Sequence, residues 1–242
     1  MNCDLHVTAA AQRDGARACA AGLVASAAAA IDQTGAIPDE VRSGARAALP
    51  DGATADAMAW VVAVEELAVA SAAVALDAAG GQAACAVAPP WPGLRGADVD
   101  GLTATLTIGS GGQLAVTAVL VGLGRAAVEQ TLAALRAARA AGRTDDGAQS
   151  PLADAATLVD GARLLLWDAA RQGGEAARAM ARLQAIEAVR AALGAAERAT
   201  DAEASRPGAP LERIARDVAT AVRVFGAAAA AQRAVAAAVL PG

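Results

Sequence analysis

The sequence predicts an all-α protein: an N-terminal helical unit over residues 1–82, a short connector with residual strand over 83–112, and a C-terminal four-helix bundle over 113–242. Three observations predict it. The apolar residues, 56% of the chain, are mostly alanine, which has no side-chain rotamer entropy to lose in a helix. Apolar positions recur at intervals of three and four through long stretches, and Gly and Pro clusters separate those stretches. With one Phe, three Trp and no Tyr, a core of Ala, Val and Leu needs close helix–helix approach, because each small side chain covers little area.

The first helix is expected over 8–32, stopped by Thr34-Gly35 and the Ile37-Pro38 pair, since Pro disfavours helical geometry in the residue before it. Pro38-Asp39-Glu40 starts a second helix, with Pro where a missing donor does no harm and two acids at the positive end of the dipole. It breaks at Pro50-Asp51-Gly52. A third helix is expected over 54–79, carrying Trp60, Val64, Leu67, Ser71 and Val74 at helical spacing and closed by Gly80-Gly81. The run Leu102-Thr-Ala-Thr-Leu-Thr-Ile108 alternates in strand fashion, so at most one or two short strands are expected between the halves. Helices over 114–141, 151–172, 175–202 and 211–240 complete the chain, with breaks at 142–147, Gly173-Gly174 and 205–210. Four long helices with short connections form a bundle.

A net charge of −5 and a pI of about 4.9 argue against nucleic acid, whose affinity comes largely from neutralising phosphates with a basic surface. Cys3, Cys19 and Cys85 show no CxxC spacing, which predicts reduced structural thiols and a cytoplasmic address. Ala18–Ile31 is weakly apolar, too short to span a bilayer and preceded by Asp4 and Asp14. It is not expected to be a leader, and no other stretch is expected to cross a membrane.

The only histidine, His6, lies at the amino end, so triads and imidazole metal sites are not expected. A carboxylate-only metal site would have to use Glu65, Glu66, Asp154 and Asp160, which read instead as helix caps and solvated charges. Asp154, Asp160 and Asp168 with Arg163 and Arg171 read as a solvated face. Gly122-Leu-Gly-Arg-Ala-Ala127 imitates a dinucleotide fingerprint without the βαβ alternation that gives one meaning, so its glycines are expected to permit close packing.

Several segments resemble one family. Ile31-Asp-Gln-Thr-Gly-Ala-Ile-Pro-Asp-Glu40 and Val64-Glu-Glu-Leu67 are similar to the N-terminal helical domain of acyl-CoA dehydrogenases. Val121-Gly-Leu-Gly-Arg-Ala-Ala127, Leu152-Ala-Asp-Ala-Ala156, Ala162-Arg-Leu-Leu165 and above all Pro210-Leu-Glu-Arg-Ile-Ala-Arg-Asp217 with Gln232-Arg233 resemble its C-terminal bundle. The resemblance implies a bundle of acyl-CoA dehydrogenase type. It also brings the family's chemistry, in which FAD accepts hydride while a glutamate removes a proton beside a thioester carbonyl.

This chain departs from that machinery at each point. The family's middle β-domain is reduced to residues 83–112. The two positions used for the glutamate fall on Gly226 and Gly112, neither of which can accept a proton. The flavin-diphosphate arginine falls near Ala138, with Arg139 one residue out of register, and the family's glycine-rich loop falls on Arg198–Ala204, bringing Asp201 and Glu203 towards a phosphate. The expectation is a non-catalytic relative without FAD or any metal, acting as a homodimer or as a heteromer with a full-length acyl-CoA dehydrogenase-like subunit. The alternative is an oxidoreductase subunit contributing to a shared acyl-CoA dehydrogenase site, with Arg216, Arg223 and Phe225 as possible ligand or interface residues. An unrelated alanine-rich bundle is a third reading.

Overall fold

A computed structural model of the chain describes residues 7–50, 56–80, 110–143, 146–200, 206–225 and 228–240. Among them every regular element is helical. The strand expected over 102–108 and most of the connector lie outside the described residues.

The N-terminal half begins with a rod in which α1 (Val7–Cys19) passes through a wide π turn (Ala20–Val24) into α2 (Ala25–Thr34). Gly35 ends it in the left-handed region at φ 69°, its N–H donating to the Ile31 carbonyl, a conformation that costs a side-chain-bearing residue energy. α3 (Asp39–Ala47) follows Pro38 with Asp39 and Glu40 in its first turn. Arg42 and Arg46 reach from α3 towards the buried Asp77, at 3.4 and 3.6 Å, and so hold α3 against the helix that follows α4.

The third expected helix is two helices. α4 (Ala57–Ala70) is capped by Asp56, whose carboxylate accepts from the Met58 N–H at 2.9 Å. Ser71 then leaves helical geometry at φ −160°, ψ 116°, and its hydroxyl accepts from the Val74 N–H at the start of α5 (Ala72–Gly80). Serine offers the backbone such a local alternative, which makes it a helix starter as readily as a helix member.

The C-terminal half consists of α6 (Ser110–Ala140), α7 (Gln149–Gln172), α8 (Glu175–Ala199), α9 (Pro210–Phe225) and α10 (Ala228–Val239). The last expected helix is thus two elements. Gly173 and Gly174, at φ 70° and 87°, turn α7 into α8. One continuous core joins the halves: Val61, Val64 and Leu67 of α4, Leu120 and Leu123 of α6, Leu166 of α7 and Ile186 of α8 belong to the same buried cluster.

α4 is the centre of that core, its residues buried from Val61 to Ala68 without a break, as expected of a helix without a solvent face. α6 crosses it at Gly122. A Cβ built there would lie 2.6 Å from the Glu65 carbonyl oxygen and 2.7 Å from the Ala68 Cβ. Gly124 makes the same allowance on the other side, where a Cβ would meet a Val159 methyl at 3.0 Å. The false nucleotide fingerprint is therefore a pair of helix crossings. Gly161, by contrast, has nothing within 4 Å of a built Cβ and sits inside α7 at ordinary helical geometry. Gly161→Ala is expected to raise stability by about 0.5–1 kcal/mol in urea unfolding, through backbone entropy alone.

Two stretches, Val7–Thr34 and Gly112–Ala140, are long and apolar enough to cross a membrane. This corrects the expectation of none. The second is more than half buried against its neighbours, and each carries an arginine, Arg17 or Arg125, paired to a glutamate of α4.

Candidate functional site

Glu65 and Glu66 sit mid-way along the apolar α4, so both carboxylates enter the core. Glu65 is wholly buried and Glu66 nearly so, which corrects their reading as caps and solvated charges. Buried carboxylates persist only when paired and hydrogen-bonded, and three helices supply the partners. Arg125 of α6 donates from one nitrogen to Glu65 Oε1 at 2.6 Å and to Glu66 Oε1 at 3.0 Å. Arg17 of α1 grips both Glu66 oxygens, at 2.8 and 3.1 Å. Arg163 of α7 brings its Nε within 2.8 Å of Glu65 Oε1 while its guanidinium lies 4.7 Å from the centre of the Trp167 ring. Arg163 therefore belongs to the core and not to a solvated face.

The two glutamates respond oppositely. Burial pushes the Glu65 carboxyl above its ordinary range despite the opposing Arg163 and Arg125, and its Oε2 accepts no hydrogen bond. Burial acts upward on Glu66 too, but hydrogen bonds from Arg17 and Arg125 carry it below the ordinary range. A buried, perturbed carboxylate is the usual mark of catalytic acid–base work. Glu65, however, has no surface exposed to a substrate, so the cluster's chemistry is cohesion of α1, α4, α6 and α7. Asp154 and Asp160 are exposed on α7, remote in character from this pair. Among the described residues no three His, Cys, Asp or Glu side chains gather as a metal would require.

The expected ligand residues meet different fates. Arg216 of α9 donates to Asp32 of α2 at 3.0 and 2.8 Å and to Glu212, one turn earlier, at 2.6 and 3.1 Å. It clamps the N-terminal rod onto the bundle. Arg223 is exposed near the end of α9, and Phe225 is its last residue, with a side chain outside the described set. Gly112 is buried in the first turns of α6, whereas Gly226 lies outside the described residues.

The Arg216 hydrogen bond holds the Glu212 carboxyl below its ordinary range. Because the folded value is the lower one, this clamp stabilises the fold above about pH 4.3, the ordinary glutamate value, and is lost as pH falls through the depressed value. The stability difference between the parent and Arg216→Ala, read from urea midpoints, is expected to shrink steadily between about pH 4 and pH 2.

The helices and their order define an acyl-CoA dehydrogenase-like, all-α fold. A chain from the electron transferring flavoprotein structure of Acidaminococcus fermentans superposes with a TM-score of 0.80 at 15% identity, covering 100% of both chains. Glutaryl-CoA dehydrogenase in its glutaryl-CoA complex gives 0.77 at 16% identity, covering 98% of this chain and 96% of its own. Butyryl-CoA dehydrogenase from Megasphaera elsdenii gives 0.76 at 15%, covering 99% and 100%. No protein-family model and no curated protein matches the sequence. At these identities the likeness is one of fold.

Proposed function

We propose that this chain is a non-catalytic acyl-CoA dehydrogenase-like protein of the cytoplasm that has given up FAD and the catalytic glutamate and serves as an oligomerisation or partner subunit. The observation that carries the reading is Gly112. It occupies the position in the first turns of α6 where the resemblance would put a proton acceptor, and it is buried without a side chain. General-base catalysis needs the group itself within reach of the proton.

The residues aligned with flavin contacts fit the group poorly. Ala138 has no side-chain donor, Arg139 stands one residue out of register, and the Thr200 hydroxyl, in the segment aligned with the glycine-rich loop, donates to the Ala196 carbonyl at 2.7 Å. No flavin chemistry is therefore derived for this chain alone. Association is supported by apolar surface at the C-terminal end, where Val239 and Leu240 are 67% and 74% exposed beside the alanines of α10.

The visible absorption spectrum of freshly purified protein, with its size in solution alone and beside a full-length flavoprotein subunit, tests this. A colourless dimer, or a colourless chain that co-elutes with the flavoprotein, is expected. A yellow preparation with stoichiometric FAD, or a monomer at micromolar concentration that binds no such subunit, overturns it. A second reading, a share in a heteromeric acyl-CoA dehydrogenase site, is favoured by the exposure of Arg223. It requires Arg223→Ala to weaken thioester binding by the complex.

A further inference from the structure

The C-terminal turns of α6 and the first turns of α7 diverge to leave an open groove of about 740 Å³, within the size range of sites that hold small ligands. Its floor comes from two helix faces. Val128, Leu132 and Leu135 follow one another at helical spacing on α6, and Leu152 and Ala156 do so on α7. Arg136, Arg139 and Arg143 line the same groove and are exposed.

Arg143 stands there because of the helix end. Gly142 adopts φ 75°, its N–H donates to the Arg139 carbonyl, and the Arg143 N–H donates to the Ala138 carbonyl at 2.9 Å. This closure turns the chain back over the last turn of α6. Arg17, Arg42, Arg46, Arg125, Arg163 and Arg216 each have a carboxylate partner. Among the described residues, none of Arg136, Arg139 and Arg143 takes part in an ion pair.

Three unneutralised cations beside an aliphatic floor select for a ligand that is anionic at one end and apolar at the other. Among the described residues that line the groove none is aromatic, so they offer no face on which a base could stack. It is also a separate place from Gly112: Arg136 lies 24 residues further along the same helix, about 36 Å at 1.5 Å per residue.

We propose that this groove binds a single-chain anionic amphiphile, with the aliphatic tail against Leu132, Leu135 and Leu152 and the carboxylate or phosphate head among Arg136, Arg139 and Arg143. The head is held by charge-assisted hydrogen bonds from the guanidinium groups, the tail by burial of apolar area. The site does not depend on the partner-subunit reading, because its walls belong to one chain.

Isothermal titration with decanoate, decyl phosphate, 1-decanol and decyltrimethylammonium, each below its micelle concentration, tests the proposal. Decanoate or decyl phosphate is expected to bind saturably at one site per chain, and which binds tighter identifies the natural head group. The neutral and cationic analogues should bind at least about tenfold more weakly, a difference of about 1.4 kcal/mol. The triple change Arg136→Ala, Arg139→Ala, Arg143→Ala should weaken the anion by a similar factor while leaving decanol unaffected. Ala153→Trp, at an exposed lining position, should block all four probes without altering the circular dichroism. Equal affinity for decanol and decanoate, anion binding that survives either variant, or no saturable binding overturns the proposal. In the last case an acidic segment of another protein becomes the occupant to test.

Discussion

Arg125→Met is expected to lower unfolding free energy by about 3–5 kcal/mol, the usual cost of removing one member of a buried ion cluster. Arg125 lies within hydrogen-bonding distance of both α4 glutamates, closer to Glu66 than Arg163, which reaches it only at 3.6 Å, and the Arg125 side chain is mostly buried. Without it, Glu65 keeps Arg163 and Glu66 keeps Arg17 and the more distant Arg163, but each carboxylate loses a hydrogen-bonded cation inside the core. The pH dependence gives the mechanism a sign. Burial already raises the Glu65 carboxyl, and losing a cation raises it further. A group whose folded value lies above its unfolded value takes up protons on folding, so stability falls as pH rises through the folded value. The deficit of Arg125→Met should accordingly shrink on acidification from pH 7 towards pH 5. Urea midpoints across that range decide the matter: a loss below about 1 kcal/mol at pH 7 would mean that water screens the cluster. Adding Glu65→Gln to Arg125→Met should recover part of the loss, because the uncompensated charge is gone.

Gly122→Val is expected to cost about 3 kcal/mol or more, at the upper end of overpacking effects. The atoms that a side chain would strike are a backbone oxygen of Glu65 and the Cβ of Ala68, neither of which can swing aside. α6 would have to move off α4, and the ion cluster would be pulled open with it. In a chain of this length each kcal/mol corresponds to about 2–4 °C, so the melting temperature should fall by roughly 6–12 °C. Gly122→Ala should cost less, since a single methyl needs less movement and alanine favours helix by about 1 kcal/mol. A melting temperature unchanged by valine would show that the crossing has slack.

What could be read from the sequence followed from how local each interaction is. Pro38 with its acids, Gly35 and Gly173-Gly174 act on their own neighbours, and helices begin and end there. The resemblance to acyl-CoA dehydrogenases also led to the right fold. Ser71 was hidden because an isolated serine in an alanine run looks like a helix residue, and its capping role depends on which backbone it meets. Glu65 and Glu66 were misread because their partners are remote: Arg17 lies 49 residues from Glu66 and Arg125 lies 60 from Glu65. A clue was nonetheless present. Val61 to Leu67 leaves no polar face around α4, so two glutamates there had nowhere to go but inward. Arg216 reads from the sequence as a possible ligand or interface residue, but its partner Asp32 lies 184 residues away, and no local pattern distinguishes a clamp from a ligand contact.

The wide turn at Ala20–Val24 bears on how the N-terminal rod tolerates change in length. Its buried positions are Ala9, Ala16, Ala20, Val24, Ala28 and Ile31, and consecutive steps of four drift round a regular helix by about 40° each. Loosening the backbone at that point absorbs the drift. Take out Gly22, exposed and touching nothing, and the same side chains fall at steps of seven, four, three, four and three, the rhythm of an ordinary amphipathic helix. The rod thus holds a surplus residue stored as slack, and a shortened chain could wind tightly there while keeping the same stripe buried.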